Sequence, residues 1–203
     1  MTNKNHDRTR KGASQQAGFT LVEVMVSIAV LTVGLISMLS LFGVAIASVH
    51  TARQDLIAKQ EANEAMENIF AARNAAQVSW AQIQNVSTGG IFLDGYQPIY
   101  APGPDGLDGT ADDVAGNVVN ASCAGPAQCY QQAGPDGLLG TSDDTYLPLN
   151  NFQRQILITP LYNPDGSLNG SLRQVVVNVQ FTTSEYRNVA KVYTVTTYIS
   201  QYR

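Results

Sequence analysis

The sequence predicts an α+β fold in which a long N-terminal helix packs on a C-terminal antiparallel sheet. The first observation is an apolar run over residues 19–49 whose one ionisable residue is Glu23. The second is that apolar residues keep a helical spacing beyond this run, to about residue 73. The third is a set of three segments near the C-terminus in which apolar and polar residues alternate, as in strands with one buried face.

The charge distribution separates a basic leader from an acidic body. The chain of 203 residues has a net charge of -4. Residues 1–18 contribute +3, from four basic residues and Asp7, which leaves -7 for the rest. This arrangement is typical of an inner leader followed by an exported domain. It does not favour nucleic acid as a partner, because phosphate binding draws on clustered Lys and Arg.

Residues 19–49 are long enough to cross a membrane. As a helix, these 31 residues would rise about 46 Å, more than a bilayer core requires. The run exceeds the apolar core of a secretory signal peptide, and no small-residue cleavage site follows it. A plain signal anchor stays open, but it does not need Glu23, because a carboxylate there costs about 3 kcal/mol unless it is neutralised or paired. We therefore expect a positive charge in a neighbouring copy to pair with Glu23.

The residues Gly18-Phe19-Thr20-Leu21-Val22-Glu23 resemble the processing site of type IV prepilins and pseudopilins. The resemblance implies that a prepilin peptidase cuts after Gly18 and methylates the new N-terminal amine of Phe19. It also implies that Glu23 pairs with the N-terminal amine of an adjacent subunit, so that Phe19 and Glu23 are the assembly residues. The residues after Glu23 look most like minor pilins of the pilus-modification (PilV-like) kind. Many major pilins carry a helix-bending proline in this segment, and this chain has none between residues 19 and 78.

The resemblance divides the chain and predicts its function. The segments are a cleaved leader (1–18), a transmembrane and assembly half of the helix (19–49), an amphipathic half (50–78) and a globular domain (79–203). We expect a structural subunit, a minor pilin of a type IV pilus, with other pilins, prepilin peptidase and the inner membrane as partners. Before assembly it would be a single-pass inner-membrane protein, and afterwards it would lie in the pilus, at the cell surface or in the periplasm. Two alternatives stay open: a pseudopilin of a type II secretion system, and a membrane-anchored, calcium-dependent adhesin or binding module.

Residues 50–73 are predicted to continue the helix with one apolar face. We interpret this face as packing against a sheet rather than as a binding groove. Charged side chains, including Glu61, are expected to point elsewhere. Ser79 is expected to cap a short second helix that ends at Gly89-Gly90. The residues of the apolar face are Ala62, Ala65, Met66, Ile69 and Phe70.

An eleven-residue segment occurs twice within residues 101–146, at 103–113 and at 134–144, and nine of eleven positions match. Its glycines favour tight turns, and its side chains offer the hard oxygens that calcium binds. The spacing is not that of an EF-hand, since no bidentate glutamate follows. We predict Ca²⁺ as a cofactor, with two solvated turns as the alternative. The predicted metal ligands are Asp105, Asp108, Thr110, Asp112, Asp113, Asp136, Thr141, Asp143 and Asp144.

Two cysteines, Cys123 and Cys129, flank a Gly125-Pro126 turn between the two copies. In an exported domain such a pair favours a disulfide over free thiols. A metal site is not expected there, because two thiols without a nearby histidine do not complete a zinc site. The sequence lacks nucleophile, phosphate-binding and dinucleotide motifs, so we do not expect an enzyme.

Residues 152–162, 168–183 and 188–202 are predicted to form an antiparallel meander within 152–203. Asn163-Pro164-Asp165-Gly166 predicts the first turn, and residues 184–187 the second. The apolar faces of these strands are expected to pack on the amphipathic helix, which is the roll that the family resemblance also implies. The predicted inward-facing residues are Val175, Val177, Val179 and Phe181 in the second strand and Tyr193, Val195 and Ile199 in the third.

Overall fold

The computed structural model describes residues 18–114, 127–182 and 190–202. The chain divides into two compact units, residues 1–46 and residues 47–203. One α-helix, α1, runs from Leu21 to Asn74 and contributes residues to both units. Residues 1–17 of the predicted leader (1–18) and the predicted turn at 184–187 lie outside the described residues.

In the first unit, α1 presents its apolar side chains at the surface of the molecule. The large apolar residues from Leu21 to Ile46 are all exposed. The hydroxyl groups in this segment bond to the helix itself: Ser27 Oγ donates to the Glu23 carbonyl at 2.7 Å, and Ser37 Oγ donates to the Val33 carbonyl at 2.8 Å. Because these polar groups are already hydrogen-bonded, the segment suits an apolar environment.

In the second unit, the polar half of α1 packs on an antiparallel sheet, as predicted. Among the described residues, the elements after α1 are two 3₁₀ helices, at Trp80–Gln82 and Val86–Thr88, followed by six strands. The sheet has the strand order β1-β4-β5-β6, and β2 and β3 form a separate hairpin. The strands are β1 (Gln97–Pro98), β2 (Cys129–Gln132), β3 (Thr145–Pro148), β4 (Phe152–Tyr162), β5 (Leu168–Thr182) and β6 (Ala190–Ser200).

The predicted meander is confirmed in β4, β5 and β6. Ile156 pairs with Val177, and Val177 pairs with Val195, so residues of one face line up across the three strands. The side chains predicted to face inward on β5 are all buried, and so is Ile199 on β6. The helix contributes Ala62, Ala65, Met66 and Ile69 to the same core.

The helix ends without a glycine. The Gln77 N–H donates to the Ala72 carbonyl at 2.9 Å, and the Ala76 N–H donates to the Arg73 carbonyl at 3.2 Å. This is the Schellman pattern, and it places Ala76 in the left-handed region at φ 59°. Since a left-handed residue at this position is usually glycine, the end of α1 at Asn74 was not visible in the residue types.

One edge of the sheet is closed by a side chain as well as by a strand. Asn85 is buried, and its Nδ2 donates to the Ile156 carbonyl at 2.7 Å. Its Oδ1 accepts the Ile158 N–H at 2.8 Å. The amide therefore occupies backbone groups of β4 beyond the two residues, Gln153 and Arg154, that pair with β1.

Candidate assembly segment and repeat loops

The two copies of the repeat form the same turn. In the first copy, Asp105 Oδ1 accepts the Leu107 N–H at 2.8 Å. In the second, Asp136 Oδ1 accepts the Leu138 N–H at 2.8 Å. Both are Asx turns, in which an aspartate side chain replaces a backbone acceptor. The glycines that follow have positive φ in both copies: Gly106, Gly109, Gly137 and Gly140.

The threonine and the first of the two adjacent aspartates also repeat their contact. Thr110 Oγ1 donates to Asp112 Oδ1 at 2.7 Å, and Thr141 Oγ1 donates to Asp143 Oδ1 at 2.5 Å. The hydrogen bond from Thr110 lowers the pKa of Asp112, and the bond from Thr141 lowers the pKa of Asp143. These carboxylates are therefore stabilised in their charged form by the loop itself.

The second aspartate of each pair accepts a backbone hydrogen bond from the loop. The Gly109 N–H donates to Asp113 Oδ2 at 2.8 Å, and the Gly140 N–H donates to Asp144 Oδ2 at 2.6 Å. The repeated aspartates, threonine and glycines thus form one hydrogen-bonded network per loop. The same residues recur in both copies because the same hydrogen-bonded turn needs them.

The calcium prediction is not tested by these contacts and stays a prediction. In the described parts of the chain, no group of three or more acidic, histidine or cysteine side chains is placed to hold a metal ion. Of the predicted ligands, Asp108 differs most from expectation, because its carboxylate contacts the core of the domain rather than its own loop.

Asp108 belongs to a buried charge cluster with Arg154 and Glu61. Arg154 Nη2 lies 2.6 Å from Asp108 Oδ1, and Arg154 Nη1 lies 3.6 Å from Glu61 Oε2. Asn68 Nδ2 donates to Asp108 Oδ2 at 2.9 Å. The cluster joins α1, β4 and the first repeat loop, and all three charged residues are buried. The prediction that Glu61 points away from the core is therefore wrong: Arg154, brought in from β4, offers it a partner.

Two carboxylates share one guanidinium in this cluster, and burial there affects the protonation of Glu61. Burial raises the pKa of Glu61 to about 7, although Arg154 partly opposes the shift. Burial likewise raises the pKa of the nearby Asp113 to about 6, against hydrogen bonds from Gly109 and Thr110. At neutral pH a substantial fraction of Glu61 is protonated, which reduces the excess negative charge beside Arg154.

The positions of Arg154 and Glu61 in the sequence indicate that both side chains are buried. Arg154 alternates with Phe152 and Ile156 in β4, which places it on the inward face of a strand. Glu61 follows Ala58 by three residues and precedes Ala65 by four, so it lies on the apolar stripe of α1. A charged residue at either position indicates a buried partner of opposite charge.

Cys129 is disulfide-bonded at the start of β2. Cys123 lies outside the described residues, so its pairing with Cys129 stays a prediction.

At the N-terminus, the predicted assembly residues begin α1. The Glu23 N–H donates to Thr20 Oγ1 at 3.2 Å, and the Thr20 N–H donates to Glu23 Oε2 at 3.5 Å. This is a capping box, which satisfies two helix donors reciprocally. The spacing Thr20-x-x-Glu23 carries this signal in the sequence, but only an assembly role was inferred from it. Glu23 therefore has a local structural role whether or not it has an intermolecular one.

Phe19 precedes the capping box and is exposed. With Val24, Ser27, Ile28 and Leu31 it lines an open apolar cavity of about 370 Å³. The positions of Phe19 and Val24 relative to the cap are those of a hydrophobic staple. Gly18 is also exposed, as a peptidase site requires.

The N-terminal segment, with the leader residues before it, matches a known protein family. Residues 13–39 match the family described as the prokaryotic N-terminal methylation motif. The N-terminal segment is a prepilin-type methylation motif. No curated protein and no solved structure was found to match the chain.

The prepilin-type motif lies at the start of the apolar helix and indicates what that helix does. The structure contains one helix, α1, with a stretch of mean hydropathy 2.4 that is long and apolar enough to cross a membrane, within the residues described. Together with the motif, this helix indicates a membrane-anchored, pilin-like precursor. The motif implies processing by a prepilin peptidase and assembly with other pilins. Its match ends at residue 39, so it carries no information on the loops or the sheet.

Proposed function

We propose that the chain is a minor pilin, a structural subunit of a type IV pilus that is cut after Gly18 and assembles into, or primes, the filament. The observation that carries the proposal is the prepilin-type methylation motif at the head of a helix whose apolar surface is exposed. Such a helix is anchored in lipid before assembly and packs against other helices afterwards. A small, rigid domain on its end would then lie at the surface of the filament.

The exposed apolar surface supports polymerisation rather than permanent anchoring alone. Gly34 and Gly43 leave open space around their α carbons, and small residues of this kind allow close helix packing. The hydroxyl groups of the segment bond to their own helix. The helix therefore moves from lipid to a protein environment without leaving hydrogen-bond donors unpaired.

The mature N-terminus is the direct test. We expect mass spectrometry of the protein from its own cells to show a mature chain that begins at Phe19 with a methylated amine. The protein should also be present in filaments sheared from the cell surface. An intact leader, or a mature chain that begins elsewhere, would overturn the proposal. Processed protein that is absent from surface filaments would instead favour the pseudopilin alternative.

The role of the Glu23 charge is separable from its role in the helix cap. Glutamine also completes a capping box, so Glu23→Gln keeps the local structure and removes the charge. Glu23→Ala removes both. We expect both variants to insert and to be processed at Gly18, and neither to enter filaments. Normal assembly of Glu23→Gln together with loss of assembly in Glu23→Ala would show that only the helix cap matters.

A further inference from the structure

The second repeat loop lies at the end of a hairpin. Strands β2 and β3 pair from Cys129↔Pro148 to Gln132↔Thr145, and residues 133–144 join them. We call residues 127–148 the finger. Its loop is the same hydrogen-bonded turn as the first copy, so its backbone is already ordered in the free molecule.

The tip of the finger exposes two adjacent leucines. Leu138 is 63% exposed and Leu139 is 66% exposed. The equivalent residues of the first copy, Leu107 and Asp108, are 1% and 2% exposed, because they dock against the core of the same chain. The first copy is thus docked through its leucine, whereas the second copy presents a leucine pair that is not docked within the described part of its own chain.

The charges around the leucines restrict what covers them. The finger contains Asp136, Asp143 and Asp144 and no lysine or arginine. This surface is repelled by anionic lipid headgroups. It complements an apolar pocket that is bordered by basic side chains.

We propose that the finger binds a neighbouring pilin subunit, with Leu138 and Leu139 in an apolar pocket bordered by arginine or lysine. This proposal rests on the proposed function, because it requires that the chain assemble with other pilins. The internal hydrogen bonds of the loop favour this binding, since a preorganised loop loses little conformational entropy when it docks.

A double variant tests the contact. In Leu138→Ser/Leu139→Ser we expect processing at Gly18 and thermal stability to stay as in the wild type, because both side chains are exposed. We expect the amount recovered in sheared filaments to fall at least tenfold. Leu168→Ser is the matched control, since Leu168 is 59% exposed at the start of β5, and it should assemble normally. Wild-type recovery of the double variant would overturn the proposal.

Site-specific crosslinking identifies the partner. A photoreactive amino acid at position 139, in cells that assemble filaments, should crosslink to a pilin subunit. Mapping of the crosslink should locate it in an apolar segment beside arginine or lysine. Crosslinks only to lipid, or the same products from position 168, would contradict the proposal. If the wild-type chain is processed and enters filaments while these results are negative, the finger inference fails and the proposed function stands.

Discussion

The two copies of the repeat form the same turn in different surroundings. Leu107 is buried against the core, whereas its counterpart Leu138 is exposed at the end of a hairpin. At the next position the first copy has Asp108, which meets Arg154, and the second has Leu139, which has no such partner within the described part of the chain. The shared pattern therefore forms the same turn in both copies, and Asp108, one of the two residues of the first copy outside that pattern, connects the first copy to Arg154.

The same difference changes the protonation of equivalent carboxylates. Burial raises the pKa of Asp113 to about 6. In its counterpart Asp144, desolvation also raises the pKa, but hydrogen bonds from Gly140 and Gln131 outweigh it, and the pKa lies below its ordinary value. The pKa values of these two equivalent carboxylates are thus shifted in opposite directions, because the first copy is docked on the core and the second is not.

Exchanging the residue that meets Arg154, at one of the two positions where the copies differ, is the strongest test of this comparison. Asp108→Leu gives the first copy the dipeptide of the second and leaves Arg154 buried with only Glu61 beside it. Loss of one partner from a buried ion pair costs about 4 kcal/mol. We expect the free energy of unfolding to fall by that amount, measured by urea unfolding of the full chain in detergent and followed by the fluorescence of Trp80, the one tryptophan.

The reverse change is the control. Leu139→Asp places a carboxylate at an exposed position and should change the free energy of unfolding by less than about 0.5 kcal/mol. Equal effects of Asp108→Leu and Leu139→Asp would show that the two loops are not docked differently.

Protonation of Glu61, which lies beside the docked first copy, gives a second and smaller effect on the free energy of unfolding. Its pKa is about 7 in the folded chain, against an ordinary value of 4.5. Below pH 4.5 Glu61 is protonated in both the folded and the unfolded chain, so it does not lower the free energy of unfolding. As the pH rises from 4.5 to 7, Glu61 would ionise in the unfolded chain but stays protonated in the folded one, and the free energy of unfolding falls; above pH 7 this loss is complete. We expect Glu61→Gln to stabilise the fold by about 2 kcal/mol at pH 8 and to have little effect at pH 4.5, in the same unfolding assay.

Glu67→Gln is the matched control for this pH dependence, because Glu67 lies on the same helix and is exposed. It should leave the stability unchanged at both pH values. A stabilisation by Glu61→Gln that does not depend on pH would contradict the assignment.

The first glycine of each copy allows the same destabilising substitution to be made in both loops. A Cβ at Gly103 would collide with the backbone and carboxylate of Asp112, and a Cβ at Gly134 would collide with Asp143. We expect Gly103→Ala to cost about 1.5 kcal/mol of unfolding free energy, since the distorted loop is docked on the core. Gly134→Ala should increase protease cleavage within 134–144 and leave global unfolding almost unchanged. Similar global effects of the two variants would contradict the comparison.

Calcium gives the smallest expected effect. If the loops bind Ca²⁺ with a dissociation constant of about 1 mM, as extracellular modules do, then 3 mM Ca²⁺ stabilises the fold by about 0.8 kcal/mol. We expect the thermal midpoint to be higher with Ca²⁺ than with a chelator. Asp112→Asn and Asp143→Asn, one per loop, should show which copy responds. An unchanged midpoint at excess Ca²⁺ would contradict the calcium prediction.

The elements that follow from local patterns were predictable from the sequence. The strand from Phe152 to Tyr162 was predicted with its observed bounds, because the Asn163-Pro164-Asp165-Gly166 turn marks its end. The helix was predictable because its apolar stripe continues past the membrane segment without proline. In both cases the signal lies within a few residues of the element that it describes.

The rest depends on contacts between distant residues. Glu61 was expected to point away from the apolar face of the helix; Arg154, the partner that it meets instead, is 93 residues away. The hairpin of β2 and β3 was missed because its strands, such as Cys129–Gln132, are half-buried and do not alternate apolar and polar residues. The docking of the first loop needed Asp108 and Arg154 to be considered together.

The buried amide of Asn85 makes the two edges of the sheet unequal. On one side, Asn85 and β1 occupy backbone groups of β4. On the other, β6 is bordered by no further strand among the described residues. Self-association of the domain by strand pairing, including aggregation during overexpression, is therefore directed to Ala190–Ser200. Solubility should respond to lysine or proline substitutions along that strand and not to changes at the edge that Asn85 closes.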